Sequence, residues 1–399
     1  MSTTIEKMLQ ELRLRGSTLP TPLYIINRSV LEDNIRQLYD AFQSRFEKFI
    51  FGYSYKTNYA GAVLDIVHRN NGYAEVVSPM ELTHAKKYVS DDKIIYNGVI
   101  PDLSAKVALA KNGAIVNVEN LTELCSINQY AEKHGIKAEV GIRVNLHLDG
   151  ISFSRFGIEI TPESVKKISQ LPNIRIAGIH CHVTKSRALG FWHEKARQMS
   201  EIAKQLGARY IDFGGNMYGP MNPELAAQFS CSIPTFADYA DCLYFEMSKF
   251  FTGKEMPTVI VECGTPIISN AQSLLTSVVD IKSIRQKTVC TLDAKKLDVS
   301  VIGDSGKQFP YYVINQGNGQ VTDASVYGCT CLEFDQFIRE YTGPLDIGDR
   351  ILFDNIGSYS NVLSPKFIQG TPAMVLYDSN GFHFVKLQDS ADTVFGEYL

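Results

Sequence analysis

The sequence lacks most of the features that would settle a class at once. It has no basic excess: 39 Lys plus Arg against 43 Asp plus Glu give a formal net charge of -4. A chain without a basic face loses the electrostatic footprint of nucleic-acid binding, so no nucleic-acid partner is expected. No run of about 18 apolar residues occurs, which speaks against a membrane-spanning helix. The first residues, MSTTIEKMLQELRLRG, carry no apolar leader core, so no secretory signal is visible and a cytoplasmic location is the expectation. The eight cysteines (125, 181, 231, 242, 263, 290, 329, 331) are scattered rather than spaced as a disulfide framework, and reduced thiols are expected. Cys329 and Cys331 form a C-x-C with no second Cys or His pair nearby, so no metal site is expected there. Internal repeats and low-complexity tracts are absent too.

What is present is an ordinary globular composition, 45% apolar and 21% charged over 399 residues. At about 150 residues per domain the length suggests two or three domains. Short apolar runs alternate with helical patterns through about residue 262. Eight runs read as strands: Lys48–Tyr55, Gly72–Val77, Lys93–Asn97, Ala114–Val118, Lys137–Asn145, Arg175–His182, Tyr210–Phe213 and Thr258–Glu262. Helix starts stand between them. Ser78-Pro79-Met80-Glu81 and Thr161-Pro162-Glu163 place a capping hydroxyl before a first-turn proline. Asn120 can cap 121–134, and the amphipathic stretch Trp192–Leu206 stops at Gly207. Eight strand–helix units predict a closed (β/α)8 TIM-like barrel; an open doubly wound sheet is the competing arrangement.

Beyond about residue 275 the texture becomes all-β. Thr276–Ile284, Leu297–Ile302, Tyr311–Asn315, Arg350–Phe353 and Ala373–Tyr377 are short β-like runs. Turn signals separate them at Gly317-Asn318-Gly319, Asp346-Ile347-Gly348-Asp349 and Asp378-Ser379-Asn380-Gly381. The expected organisation is therefore a barrel over 28–274 and a C-terminal all-β barrel domain over 275–399. The isolated run 21–27 is expected to add a strand to the second domain.

In such a barrel the working groups sit at the C-terminal ends of the strands. Strand one ends at Tyr55-Lys56-Thr57-Asn58, and a lysine right after an apolar strand is either a buried Schiff-base amine or one that snorkels out of the mouth. Strand six ends at His180-Cys181-His182, where two imidazoles can share a face as acid–base groups, metal ligands, ring stackers or satisfied core histidines. Strand seven ends at Gly214-Gly215-Asn216. Paired glycines let backbone N–H groups approach a phosphate closely, or merely make a tight turn. Strand eight ends at Glu262-Cys263-Gly264, and a carboxylate inside an apolar strand needs a partner, either a protonated heterocycle nitrogen or a structural cation. Amine, aromatic stacker, phosphate cradle and carboxylate around one mouth are the parts that pyridoxal 5'-phosphate requires.

With these residues in hand, the sequence resembles the fold-type III pyridoxal-phosphate decarboxylases, the group of diaminopimelate, ornithine and arginine decarboxylases. The resemblance runs from Thr21-Pro22-Leu23-Tyr24 to about Gly370. It is carried by Tyr55-Lys56-Thr57-Asn58, Glu75-Val76-Val77-Ser78 with Glu81, Ser154-Arg155-Phe156-Gly157 and His180-Cys181-His182. Gly214-Gly215-Asn216, Gly328 with Cys331 and Asp335, and Gly357-Ser358-Tyr359 continue it. The resemblance implies that Lys56 binds the cofactor as a Schiff base, His182 stacks on its ring, and Glu262 pairs with its ring nitrogen. Gly214, Gly215, Asn216, Gly264 and Tyr359 would complete the cofactor site. Cys331 would return a proton to the α-carbon from the partner subunit of a homodimer, with Leu332 and Asp335 near the substrate.

Departures from the family pattern bear on the substrate. Thr265 stands where the family has an arginine, and no second arginine occurs around Phe309–Gln316. Leu332 replaces an acidic residue, and Val183-Thr184-Lys185 replaces the usual I-G-S. Losing charge partners changes selectivity strongly, since an unpaired buried charge costs several kcal/mol. The expected substrate is therefore an amino acid with a masked or conjugated side chain, as in siderophore or other natural-product assembly. Lys185, Arg187 and Arg155 are candidate replacement charges. The alternatives are an ordinary diaminopimelate or diamino-acid decarboxylase and a racemase. A non-catalytic cofactor carrier would lack the β-rich stretch, and a dead regulator would lack Lys56 or Cys331.

Overall fold

The computed structural model describes residues 3–15, 18–151, 153–299, 306–314 and 317–398. After β1 (Leu23–Asn27) the chain lays down β2 (Phe49–Ser54), β3 (Tyr73–Val76), β4 (Ile94–Tyr96), β5 (Ile115–Val118) and β6 (Ala138–Asn145). A two-residue β7 (Ile158–Glu159) precedes β8 (Ile174–His180), β9 (Tyr210–Asp212) and β10 (Thr258–Glu262). Parallel pairing runs β5-β4-β3-β2-β10-β9-β8-β6, and a β5–β6 pairing closes the ring. The eight expected runs are the eight staves, with ends displaced by no more than two residues. Their near-continuous apolar character follows from burial on both faces, against the helices outside and the barrel filling within.

The helix signals act as the sequence suggests. Ser78, Asn120 and Thr161 each accept a hydrogen bond from a first-turn N–H, and Gly207 ends its helix in the left-handed conformation at φ 64°. Inside the barrel, Tyr210 fills space that two neighbouring strands leave open. A Cβ on Gly178 would lie 2.3 Å from its ring, and one on Gly141 would lie 2.1 Å from its hydroxyl. That hydroxyl donates to Asn117 Oδ1 at 2.8 Å, so the phenol supports the polar groups above it as well as filling volume.

The second sheet is all-β. Its strands are β11 (Gln272–Ile284), β12 (Lys287–Leu292), β13 (Tyr311–Ile314), β14 (Gln320–Tyr327), β15 (Gln336–Pro344), β16 (Arg350–Phe353), β17 (Ala373–Asp378) and β18 (Gly381–Lys386). β1 joins this sheet, antiparallel to β11 and parallel to β17, as its position before the barrel suggested. Leu23, Ile25, Leu275, Leu352 and Val375 bury one face under Met8, Leu9 and Leu12 of the helix Thr3–Arg15. Each such side chain contributes about 1.5–3 kcal/mol by leaving water. The expected boundary after residue 274 falls inside β11, because that strand already pairs with β1 from Gln272 onward. Lys296–Asp298 is a 3-10 turn rather than the start of a strand; residues 300–302 of the expected run, and Asn315 of the next, lie outside the described residues. Among the described residues no helix is long and apolar enough to cross a membrane.

Candidate active site

The C-terminal ends of β2, β3, β4, β8 and β10 deliver Lys56, Glu75, Asn97, His180, His182 and Glu262 to one cavity of about 760 Å3. Lys56 Nζ donates to Glu75 Oε2 at 2.5 Å. Asn97 Nδ2 spans two carboxylates, Glu75 Oε1 at 3.1 Å and Glu262 Oε1 at 2.5 Å. Glu262 Oε2 faces His180 Nε2 at 3.3 Å. Beneath them Asn117 Nδ2 donates to Asn97 Oδ1 at 2.8 Å and to Asp212 Oδ2 at 3.3 Å. A continuous polar column thus rises from Tyr210 to the lysine.

Electrostatics fix the charge states along this column. Burial would lower the Lys56 amine, but Glu75 and Glu262 outweigh it and hold the group above its ordinary range, as an ammonium. Burial would raise Glu262, but His180 and Lys56 hold it below the usual carboxylate range, so it stays ionised. Asp212 moves the other way: burial and the neighbouring Glu262 charge push it well above its ordinary value, so it keeps a proton. Two carboxyls this close cannot both ionise cheaply. Burial and Lys56 hold the His182 imidazole well below its ordinary range, so it is neutral. It accepts from the N–H of Gly215 at its Nδ1, 3.0 Å away, which assigns the ring proton to Nε2.

The loop after β9 needs its glycines for approach. Gly214 sits at φ 60°. A Cβ on Gly215 would lie 2.5 Å from the carbonyl oxygen of Glu262 and 3.5 Å from His182 Cε1. Both glycine N–H groups, expected as donors to a phosphate, have partners within the chain. Gly214 N–H donates to Asp212 Oδ1 at 2.9 Å and Gly215 N–H to His182. Asn216 is tied as well, its Nδ2 donating to the carbonyl of Ser186 at 2.8 Å. Gly264 packs its bare Cα against Thr57, whose Oγ1 would be 1.9 Å from a Cβ there. Tyr359 lines a second cavity of about 180 Å3 together with Arg187, Thr265, Ser269, Lys307 and Ser358. Its backbone N–H donates to the Thr57 carbonyl at 2.9 Å, which brings it beside the lysine loop.

The donor set fits pyridoxal phosphate. An amine, a neutral ring and an ionised buried carboxylate converge on one cavity. Thr57 Oγ1 and His180 Nδ1 are buried without a hydrogen-bond partner, polar capacity that a bound group can meet. Two expectations fare differently. Cys331 is exposed, and neither it nor Leu332 lines these two cavities. Asp335 is not free to meet a substrate: its buried carboxylate accepts from Lys296 N at 2.5 Å, Thr330 N at 2.8 Å and Thr330 Oγ1 at 2.6 Å. It shapes the turn that carries Cys331. Asn97, Asn117 and Asp212 were missed from sequence. Their one signal was a polar residue at an inward position near the end of a parallel strand.

Comparisons with known proteins bear on the family and the fold. Residues 32–269 match the pyridoxal-dependent decarboxylase family in its pyridoxal binding domain. The chain is 25% identical to a diaminopimelate decarboxylase of Methanocaldococcus jannaschii, covering 93% of this chain and 89% of the relative. It is 29% identical to one of Aquifex aeolicus, covering 95% and 92%. The crystal structure of the M. jannaschii enzyme superposes with a TM-score of 0.85 at 23% identity, over 97% of this chain and 94% of that one. The Helicobacter pylori diaminopimelate decarboxylase, complexed with L-lysine, gives 0.83 at 21% identity over 99% of both. With a matching family model over more than half its length and a barrel mouth that suits the cofactor, the chain belongs to the pyridoxal-dependent decarboxylases, the carboxy-lyases that work with pyridoxal phosphate.

Proposed function

We propose that the chain removes the α-carboxylate of an amino acid whose side chain is masked or conjugated, as part of a biosynthetic pathway. The observation that carries the chemistry is Lys56 facing Glu75 in the cavity that also holds His182 and Glu262. Pyridoxal phosphate, when bound, supplies a sink for the electron pair left on the α-carbon as CO2 departs. Lys56 is the attachment amine, and Glu75 is placed to receive the proton the ammonium must lose. Glu262, kept anionic by His180 and Lys56, is the partner for a protonated ring nitrogen. His182, kept neutral, offers a flat face that does not repel a cationic ring.

The proton returned to the α-carbon is assigned to Cys331 of a second copy. The exposed thiol lies outside the cavity formed within one chain, which supports a homodimer with shared sites. The elaborated substrate is supported by Thr265 and Leu332, where charge partners for a free diamino acid are missing. The second reading is an ordinary diaminopimelate decarboxylase, favoured by the relatives of that name, which cover over nine-tenths of the chain.

The test is CO2 release by cofactor-loaded protein against free basic and acidic amino acids, meso-diaminopimelate, and citrate- or peptide-linked diamino acids. Turnover of conjugates alone supports the proposal. Turnover of meso-diaminopimelate gives the second reading, and loss of optical activity without CO2 leaves a racemase and overturns both.

A further inference from the structure

The two loop N–H groups that would cradle a phosphate are committed to Asp212 and His182, and the position after Gly264 carries Thr265 instead of a cation. A doubly charged phosphate held by the protein still needs a counter-charge. Arg187 stands at this loop. Its Nε donates to Asn216 Oδ1 at 3.2 Å, and its guanidinium carbon lies 5.2 Å from the centre of the Tyr218 ring. The Asn216 amide also donates to the Ser186 carbonyl, so Asn216 clamps the Ser186–Arg187 segment from both sides of its amide group. Asn216 adopts φ 70°, a conformation that asparagine tolerates better than most residues.

The anchored guanidinium lines the smaller cavity beside Thr265, Ser358 and Tyr359. Among the described residues no carboxylate lies within ion-pair distance of it. The Nε bond leaves the two terminal nitrogens, which form the planar fork that suits phosphate oxygens. We propose that Arg187, held by Asn216, is the cationic anchor for the phosphate of pyridoxal 5'-phosphate in this chain. The assignment rests on the cofactor reading above, and it replaces a counter-charge lost at position 265 by one from the loop after β8.

The test compares two ligands that differ only in the phosphate. Apoprotein of the wild type, Arg187→Ala, Arg187→Lys and Asn216→Gly is titrated with pyridoxal 5'-phosphate and with pyridoxal, following absorbance. Removing a charge-assisted contact should weaken pyridoxal phosphate by about 10- to 100-fold in Arg187→Ala. Pyridoxal affinity should move less than about twofold. Arg187→Lys should recover part of the loss, and Asn216→Gly, which frees the guanidinium without removing it, should lose less than Arg187→Ala. Inorganic phosphate should compete with the cofactor in the wild type and much less in Arg187→Ala. Equal weakening of both ligands would make Arg187 a mere part of the pocket wall and overturn the assignment. Unchanged affinities with a raised KM would give the guanidinium to the substrate and overturn it equally. If wild-type protein binds neither ligand, it is the cofactor reading that fails.

Discussion

Gly215→Ala is the cleanest perturbation of the cofactor cleft, because Gly215 is not in a positive-φ conformation and alanine meets only steric resistance there. The added methyl would lie 2.5 Å from the carbonyl oxygen of Glu262, whereas ordinary carbon–oxygen contact begins near 3.4 Å. That carbonyl belongs to the end of β10, which pairs on both sides, so the loop must give way by most of an ångström. Overpacking of this kind costs about 1–3 kcal/mol. Moving the loop also breaks the Gly215–His182 bond, about 1 kcal/mol more, and turns the ring that faces the cavity. Thermal melting should drop by several degrees, and pyridoxal phosphate affinity should fall by about tenfold or more. Gly190→Ala is the matched control: it lies in the helix Leu189–Leu206 with nothing within 4 Å of the new carbon, and it should stabilise by up to about 1 kcal/mol. If Gly215→Ala melts and binds cofactor as the wild type does, the close-approach argument for the loop is wrong.

Other outcomes follow from the same geometry. Lys56→Ala should abolish turnover and the mass gain that borohydride reduction of the cofactor-loaded protein produces. Mixing Lys56→Ala with Cys331→Ser chains should restore up to about a quarter of wild-type activity through the one intact site of a mixed dimer; no recovery would sink the shared-site proposal. Asp212 has its folded pKa raised, so its contribution is fully present below the unfolded value near 3.9 and is lost as pH rises toward the folded one. Asp212→Asn, which mimics the protonated acid, should flatten the decline of stability with pH by up to about 1.4 kcal/mol per unit, read from melts at several pH values. Imidazole resonances of His182 should show no titration around pH 6.5, and a titration there would contradict its burial.

The barrel was legible because its strands are buried on both faces and read as apolar runs. The second sheet was legible only in part. β14 buries Val321, Ala324 and Val326 while its register shifts at each of them, so the two-residue alternation that marks a strand is broken. The helix Thr3–Arg15 escaped notice because its buried Met8, Leu9 and Leu12 stand in a charged stretch. At the site, Lys56, His182 and Glu262 announced themselves as polar groups at strand ends. Asn97 and Asp212 did not: their side-chain partners lie 20 to 165 residues away, and a lone Asn or Asp looks like any turn residue. Arg187 and Asn216 were each singled out from the sequence, as a candidate charge and as the end of the glycine motif, but their pairing across 29 residues was not legible.

The placement of β1 between β11 and β17 has a consequence for synthesis on the ribosome. Leu23–Asn27 leave the exit tunnel first among the strands, yet the neighbour they pair with in parallel is Ala373–Asp378. At translation rates of about 5–20 residues per second, that edge waits roughly 20–70 s for its partner. During that interval the barrel can close while an apolar strand, Leu-Tyr-Ile-Ile-Asn, still lacks its mate. The nascent chain thus has a built-in need for shielding at Leu23–Asn27. Release of Ala373–Asp378 ends it by pairing the two distant segments in one sheet.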